Sequence, residues 1–279
     1  MSYILCCVDG ENYSQSTCDY AVLISNNMNL PLKFLHIIEH SSKSENLNLS
    51  GNISLGEKDD MLEEFTNEEA LKNKNTIKEG RILLDSLKQR ASKTCKNEIF
   101  ILQIHGDVIE TILESQEQTA VLVIGITSKQ NHKIGNNVKD IIRAIHKPVL
   151  LVNSKFIEPK KLLIAYNGSN ESKNLLNTTS VKPIFKDIKR DIVNINEDKS
   201  SSAKLLNEAK EIFEKQNIEV STSVLSGEPR DEILKYFEKN SCDILAMGAF
   251  GHSRLKEFIF GSFTSDILAK INKPILLFR

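Results

Sequence analysis

The chain has 279 residues, 40% of them hydrophobic and 26% charged, with a formal net charge of -1 and no tryptophan. That length suits two domains of ordinary size, the composition excludes a disordered chain, and the charge balance offers no basic face for nucleic acid or membrane. No run of about 18 apolar residues is present, and the amino terminus turns polar after Val8 without a basic leader. Neither a membrane span nor a signal peptide is expected, and a cytoplasmic location is. The five cysteines have irregular spacing and form no CxxC or Cys/His cluster. They read as buried, reduced thiols, with Cys6 and Cys7 on opposite faces of one strand.

In chain order, strands are expected at 3–8, 32–38, 98–104, 120–125 and 148–152, and helices at 14–27, 60–95, 107–117 and 137–146. Residues 40–58 are polar and rich in Ser, Asn and Gly, which reads as a long loop. The second half repeats the alternation, with strands near 161–166, 190–195, 218–225, 243–248 and 274–278. Its helices fall near 170–182, 200–216, 229–240 and 263–272, and Pro183 stops the first of them near Val181. The strands are short, β-branched and apolar on both faces, the pattern of a parallel sheet covered by helices.

The halves also match residue by residue. "DIIRAIHKPVLLVN" (140–153) parallels "DILAKINKPILLFR" (266–279), and "ILCCVDGENYSQS" (4–16) parallels "LLIAYNGSNESKN" (162–174). "HGDVIETILES" (105–115) parallels "SGEPRDEILKY" (226–236). The shared pieces keep their order, so the chain reads as a tandem duplication joined near 153–161.

One stretch, "MGAFGHSRLKEFIFGSFTSDIL" (247–268), carries the chemistry. Gly248 ends a strand at the carboxyl edge, where ligands of doubly wound sheets bind. Gly251 follows within a turn, and Gly261-Ser262 opens the last helix. Unpaired N–H groups at a helix start, with a hydroxyl beside them, form a cradle for phosphate. Neither a Walker loop nor a GxGxxG fingerprint is present.

"GAFGHSRLKEFIFGS" resembles the Gly-x-x-Gly-(nine residues)-Gly-Ser/Thr motif of the ATP-binding branch of universal stress proteins, and the whole chain is similar to a tandem, two-domain member of the UspA superfamily. The resemblance implies an α/β fold: two adenine-nucleotide alpha-hydrolase-like (Rossmann-like) domains, each a five-stranded, mainly parallel sheet with helices on both faces. It divides the chain into a degenerate domain, 1–153, and a domain carrying the motif, 160–279. It places Gly248 and Gly251 along the ribose and α-phosphate, and Gly261, Ser262 and Thr264 on the outer phosphates. Backbone at Ile195 would meet adenine, and the turn at Ala165 and Asn167 would close the base pocket. Asn167 stands where the family usually has Asp, which keeps an acceptor and loses a charge.

In the first half Asp9 keeps that acid. There, however, Ser128 replaces the second glycine, the loop is three residues shorter, and Gly135-Asn136 stands in place of Gly-Ser/Thr. This version fits triphosphate poorly.

His252 and Arg254 lie inside the motif loop and could neutralise phosphate charge, although a solvated side chain is the plainer reading of His252. Arg230 reads as a helix-face charge, Glu228 and Asp231 as favourable charges at a helix start, His105 as a packing residue, and Ser14 and Ser16 as helix-start residues. No Ser-His-Asp or Cys-His order emerges, and no general base is evident near the cradle, so any hydrolysis would be slow.

The resemblance also implies that the last strands of the halves pair antiparallel, making an intramolecular pseudo-dimer; two chains could associate further as a homodimer. Three readings stay open. The leading one is a stress-response regulator that holds ATP, or ADP or AMP, with Mg2+ admissible, in its C-terminal half. The second is a non-nucleotide protein whose pseudo-dimer surface binds a protein partner. The third is a nucleotide-dependent ligase.

Overall fold

The computed structural model describes residues 2–10, 12–39, 74–126, 136–248, 267–268 and 270–279. The first half runs β1 (Tyr3–Cys7), α1 (Ser14–Met28), β2 (Leu32–Ile38), a helix over 74–91 that we label α2, β3 (Ile99–His105), α3 (Val108–Glu114), β4 (Thr119–Gly125), α4 (Asn136–Ala144) and β5 (Val149–Val152). The second runs β6 (Lys161–Ala165), α5 (Asn170–Val181), β7 (Lys189–Ile195), α6 (Lys199–Glu214), β8 (Ser221–Leu225), α7 (Pro229–Lys239), β9 (Ile244–Gly248) and β10 (Ile275–Phe278). Residues 267, 268 and 270 are helical, within the helix expected at 263–272, whose first turn lies outside the described residues. The loop expected at 40–58 and the start of the helix expected at 60–95 lie outside them too.

All ten strands join one sheet in the order β3-β2-β1-β4-β5-β10-β9-β6-β7-β8. Every neighbouring pair is parallel except β5 and β10, which run antiparallel with Leu150 opposite Leu276. The sheet thus continues across the two halves, and this pairing leaves neither β5 nor β10 as an open apolar edge.

Alternation along the strands splits the core between the two faces. Ile4, Cys6, Leu162, Ile164 and Leu276 pack on one face with Cys18 of α1, Leu84 of α2, Leu175 of α5 and Leu206 of α6. Leu5, Leu163, Leu245 and Leu277 pack on the other with Ile112 of α3, Ile141 of α4 and Ile233 of α7. Each fully buried large apolar side chain contributes about 1.5–3 kcal/mol relative to exposure. The expectation that strands are apolar on both faces fails at the β8 edge. β8 exposes Ser221, Thr222 and Val224, because its outer neighbour is solvent.

Local chemistry sets the helix ends. Asp198 caps α6 by accepting from the amides of Ser200 (2.9 Å) and Ser201 (3.2 Å). Buried positions Ser202, Leu206, Ala209 and Phe213 recur every three or four residues along it. Asn217, in the left-handed region at φ +56°, then turns the chain, and the Ile218 amide donates back to the Phe213 carbonyl at 3.0 Å. This helix exit takes Ile218, so β8 begins at Ser221 rather than at 218. Likewise α2 ends at Ala91, not at 95, because residues 92–94 form a turn in which Thr94 and Cys95 donate to the Ala91 carbonyl. Asp107 precedes α3 as its cap, accepting from the Ile109 and Glu110 amides, and Gln116–Gln118 forms a separate 3-10 turn.

The connection between the halves, 153–160, is fastened to α1. Ser16 Oγ accepts from the Phe156 amide at 3.2 Å, Tyr20 Oη donates to the Ile157 carbonyl at 3.1 Å, and the Tyr20 and Phe156 rings meet edge-on at 4.7 Å. Ser16, expected only to start a helix, therefore anchors this connection. Ser14 does begin α1, although the helix has no side-chain cap there.

Candidate functional site

β6 lies between β7 and β9 in the sheet. The chain after β6 enters α5 on the face holding Leu175, while the chain after β9 returns through Ile267 and Ile271 on the opposite face. Two neighbouring strands whose exits diverge to opposite faces open a crevice at their carboxyl ends, the topological switch point. Register brings the expected residues to its rim. Ala165, ending β6, is level with Val193 of β7 and Met247 of β9. Ile195 ends β7 and Gly248 ends β9, so Ala165, Ile195 and Gly248 stand at one edge of three adjacent strands.

The turn after β6 is built for tightness. Gly168 takes φ +78°, and a β-carbon there would come within 2.9 Å of Leu205 Cδ2. Asn167 is exposed and its Oδ1 accepts the Ser169 amide at 3.0 Å, closing an Asx turn. With that oxygen engaged by an N–H, the other group of the side chain is the Nδ2 amide, a donor. Ser169 then caps α5, its hydroxyl accepting the Ser172 amide at 3.3 Å.

Asn194, next to the end of β7, was not singled out by the sequence. It is buried, donates from Nδ2 to the Tyr166 carbonyl at 2.7 Å and accepts the Ser202 hydroxyl at 2.6 Å. It thereby locks the β6 turn to α6. Its only sequence signal is a polar residue inside an apolar strand, "DIVNI".

Gly248 has a reason of its own. A β-carbon at this position would lie 3.0 Å from Glu171 Cβ and 3.0 Å from the Ser172 amide nitrogen. The first turn of α5 therefore packs directly on the end of β9. Gly125 repeats the arrangement in the first half, where a β-carbon would lie 2.9 Å from Thr17 Oγ1 of α1. The first glycine of the motif is thus closely packed in both halves, by the start of α5 at Gly248 and by the Thr17 hydroxyl at Gly125. Beside Gly248, Glu171 Oε2 is buried without a hydrogen-bond partner among the described residues, at a helix start where the backbone dipole favours negative charge.

Gly251, His252, Arg254, Gly261, Ser262 and Thr264 lie outside the described residues, as do Ser128 and Gly135 of the first half. Arg230 Nε approaches Asp231 Oδ1 at 3.4 Å on the first turn of α7. His105, expected as a packing residue, is instead exposed, because it ends the edge strand β3.

The five cysteines are free thiols; Cys6, Cys18 and Cys242 are buried. Burial pushes Cys7 and Cys18 up to about 12 and Cys242 to about 11, which leaves them protonated and unreactive. Among the described residues no group of three His, Cys, Asp or Glu could hold a metal ion, and no helix is long and apolar enough to cross a membrane.

Comparison with known proteins agrees with this architecture. The Universal stress protein family pattern matches residues 1–153 and 181–279. Over 289 aligned positions the chain is 29% identical to Universal stress protein Slr1230 of Synechocystis, covering 100% of each protein. It is 36% identical over 70 residues to Universal stress protein MJ0577 of Methanocaldococcus jannaschii, covering 25% of this chain and 43% of that one. The crystal structure of a universal stress protein from Archaeoglobus fulgidus superposes with a TM-score of 0.69 at 17% identity, covering 99% of this chain and 96% of the other; this likeness concerns the fold. With the family pattern matched in both halves and a relative aligned end to end, the chain belongs to the universal stress protein family.

Proposed function

We propose that the second half binds one adenine nucleotide, ATP or its ADP or AMP forms, in the crevice between β6 and β9, and that the bound nucleotide sets the regulatory state of the protein in the stress response. The observation that carries this reading is the placement of Gly248. It starts the Gly-x-x-Gly-(nine residues)-Gly-Ser run at the switch point, one residue beyond the level of Ala165 and on the same edge as Ile195.

The described part of the crevice suits an adenosine. Half-buried strand ends at Ala165 and Ile195 offer apolar surface and backbone groups to a flat base. The Nδ2 amide of the exposed Asn167 is a donor, suited to a ring nitrogen of adenine rather than to its amino group. The Glu171 carboxylate beside Gly248 repels phosphate from the start of α5. The polyphosphate is thereby directed toward Gly261, Ser262 and Thr264, with His252 and Arg254 as cations along the loop. Mg2+ would be held by the phosphates rather than by a protein carboxylate cluster, since Asn167 carries no charge.

Nucleotide retention tests the reading. The purified full chain is denatured and the released small molecules are identified. We expect adenine nucleotide from the wild type, and its loss from Gly261→Val and Ser262→Ala, with circular dichroism showing both variants folded. A wild-type chain that neither carries nucleotide nor binds millimolar ATP would refute it, and would favour the reading in which the joined halves present a surface to a protein partner.

A further inference from the structure

The opposite rim of the same half-sheet, at the amino ends of β6, β7 and β8, also holds a cleft. It has a volume of about 710 Å3 and lies between the end of α5, the 182–189 connection and the turn after α6. On its wall Arg190 is 8% exposed. Its Nη1 donates to the Ile188 carbonyl at 2.9 Å and its Nη2 to the Phe185 carbonyl at 2.7 Å, while its buried Nε has no partner among the described residues. No ion pair joins it among the described residues.

Burial works against the charged form, opposed in part by Asp187. A guanidinium does not shed its proton in a protein, so the charge stays and calls for an anion. Two carbonyl dipoles hold its plane without neutralising it. The neighbouring carboxylate Asp191 is already committed, to Lys161 Nζ at 2.8 Å and Tyr236 Oη at 3.1 Å. With that pair set aside, the cleft presents Arg190 and the exposed Lys186 and Lys189 against Asp187 and Glu219, three cations to two carboxylates.

We propose that this cleft is a second ligand site, for a small molecule bearing a carboxylate or phosphate head group, with the Arg190 guanidinium as the buried positive charge in its wall and Lys186 and Lys189 as the rim. It is separate from the nucleotide crevice. Arg190 and Ile195 lie near opposite ends of β7, about 16 Å apart at roughly 3.3 Å per residue. A cleft of this size admits more than the head group, and its Ile188 and Val220 lining favours a partly apolar body.

The test follows the Arg190 Nε–Hε resonance of the full chain in two-dimensional NMR, at constant ionic strength, during separate titrations with inorganic phosphate and acetate. We expect saturable movement with at least one anion in the millimolar range, unchanged by saturating ATP. Whichever anion saturates identifies the head group. The Lys186→Glu/Lys189→Glu variant changes only exposed side chains, so it should fold and weaken binding by about tenfold. The site is refuted if neither anion gives saturation up to about 50 mM, or if the double variant binds as well as the wild type.

Discussion

A β-carbon on Gly248 would sit 3.0 Å from the backbone nitrogen of Ser172, so the last residue of β9 and the first turn of α5 meet with no space for a side chain between them. Gly248→Ala should therefore destabilise the protein by about 1–3 kcal/mol, the usual cost of overpacking, in the absence of any nucleotide. The same loss is expected for Gly125→Ala, whose β-carbon would meet Thr17. Urea midpoints of the two variants measure it. Wild-type midpoints would show that α1 and α5 yield freely and that the glycines are there for another reason.

Pseudo-equivalent positions handle a buried polar side chain differently, with a consequence for pH. Val8 donates to the Leu35 carbonyl as Tyr166 donates to that of Val193, so His36 occupies in the first half the place of Asn194 in the second. Gly80, opposite His36, stands where α6 has Ser202; a β-carbon on it would lie 2.7 Å from the imidazole. His36 Nδ1 is buried without a partner among the described residues. Burial lowers the His36 pKa, with Asp9 pulling upward. The unfolded chain, titrating near about 6.5, then binds the proton more readily than the folded one. This contribution to stability is complete above that pH and is lost as pH falls through it toward the lower folded value. His36→Asn/Gly80→Ser transplants the Asn194–Ser202 pair. Its thermal midpoint should fall less between pH 7 and pH 5 than that of the wild type, and parallel profiles would contradict the account.

The junction of the halves makes a third prediction. Leu276 of β10 faces Leu150 of β5, both fully buried in the core shared by the two half-sheets. Leu276→Ala should cost about 2–5 kcal/mol, and because one sheet runs through both halves, fluorescence and circular dichroism should report a single transition. A variant that unfolds only its second half, leaving the first intact, would show that the antiparallel pair does not couple them.

Asp191 makes a fourth. It is nearly buried, paired with Lys161 and hydrogen-bonded by Tyr236, linking β6, β7 and α7. Removing one partner of such a pair leaves the other's charge or donor unanswered. Asp191→Ala should cost about 1–3 kcal/mol, discounted because Lys161 reaches solvent. Asp191→Asn, which keeps an acceptor for Tyr236, should cost less. Equal losses would place the stabilisation elsewhere.

Much of this architecture is written locally. Runs such as "AVLVIG" and "DILAMG" became β4 and β9 within a residue because fully buried parallel strands have a plain apolar signal. The starts of α6 and α5 are set by residues directly before them, Asp198 and Ser169, whose side chains accept from first-turn amides. The repeated runs fall on corresponding strands of the sheet order, β3-β2-β1-β4-β5 and β8-β7-β6-β9-β10.

What the sequence concealed depends on partners far along the chain. Asn194 matters because Tyr166 and Ser202 converge on it, and Ser16 because Phe156 returns to it. Gly248 reads in sequence as a phosphate glycine. Only the position of α5 reveals that close packing also favours a glycine there, which leaves Gly261 and Ser262 as the residues that discriminate most sharply between a nucleotide site and a well-packed loop.

That discrimination is measured most directly by calorimetric titration of the full chain with ATP. The account predicts one nucleotide per chain, binding abolished by Gly261→Val and unaffected by Gly135→Val in the shortened loop of the first half. Undiminished binding in Gly261→Val, or two nucleotides per chain, would contradict it.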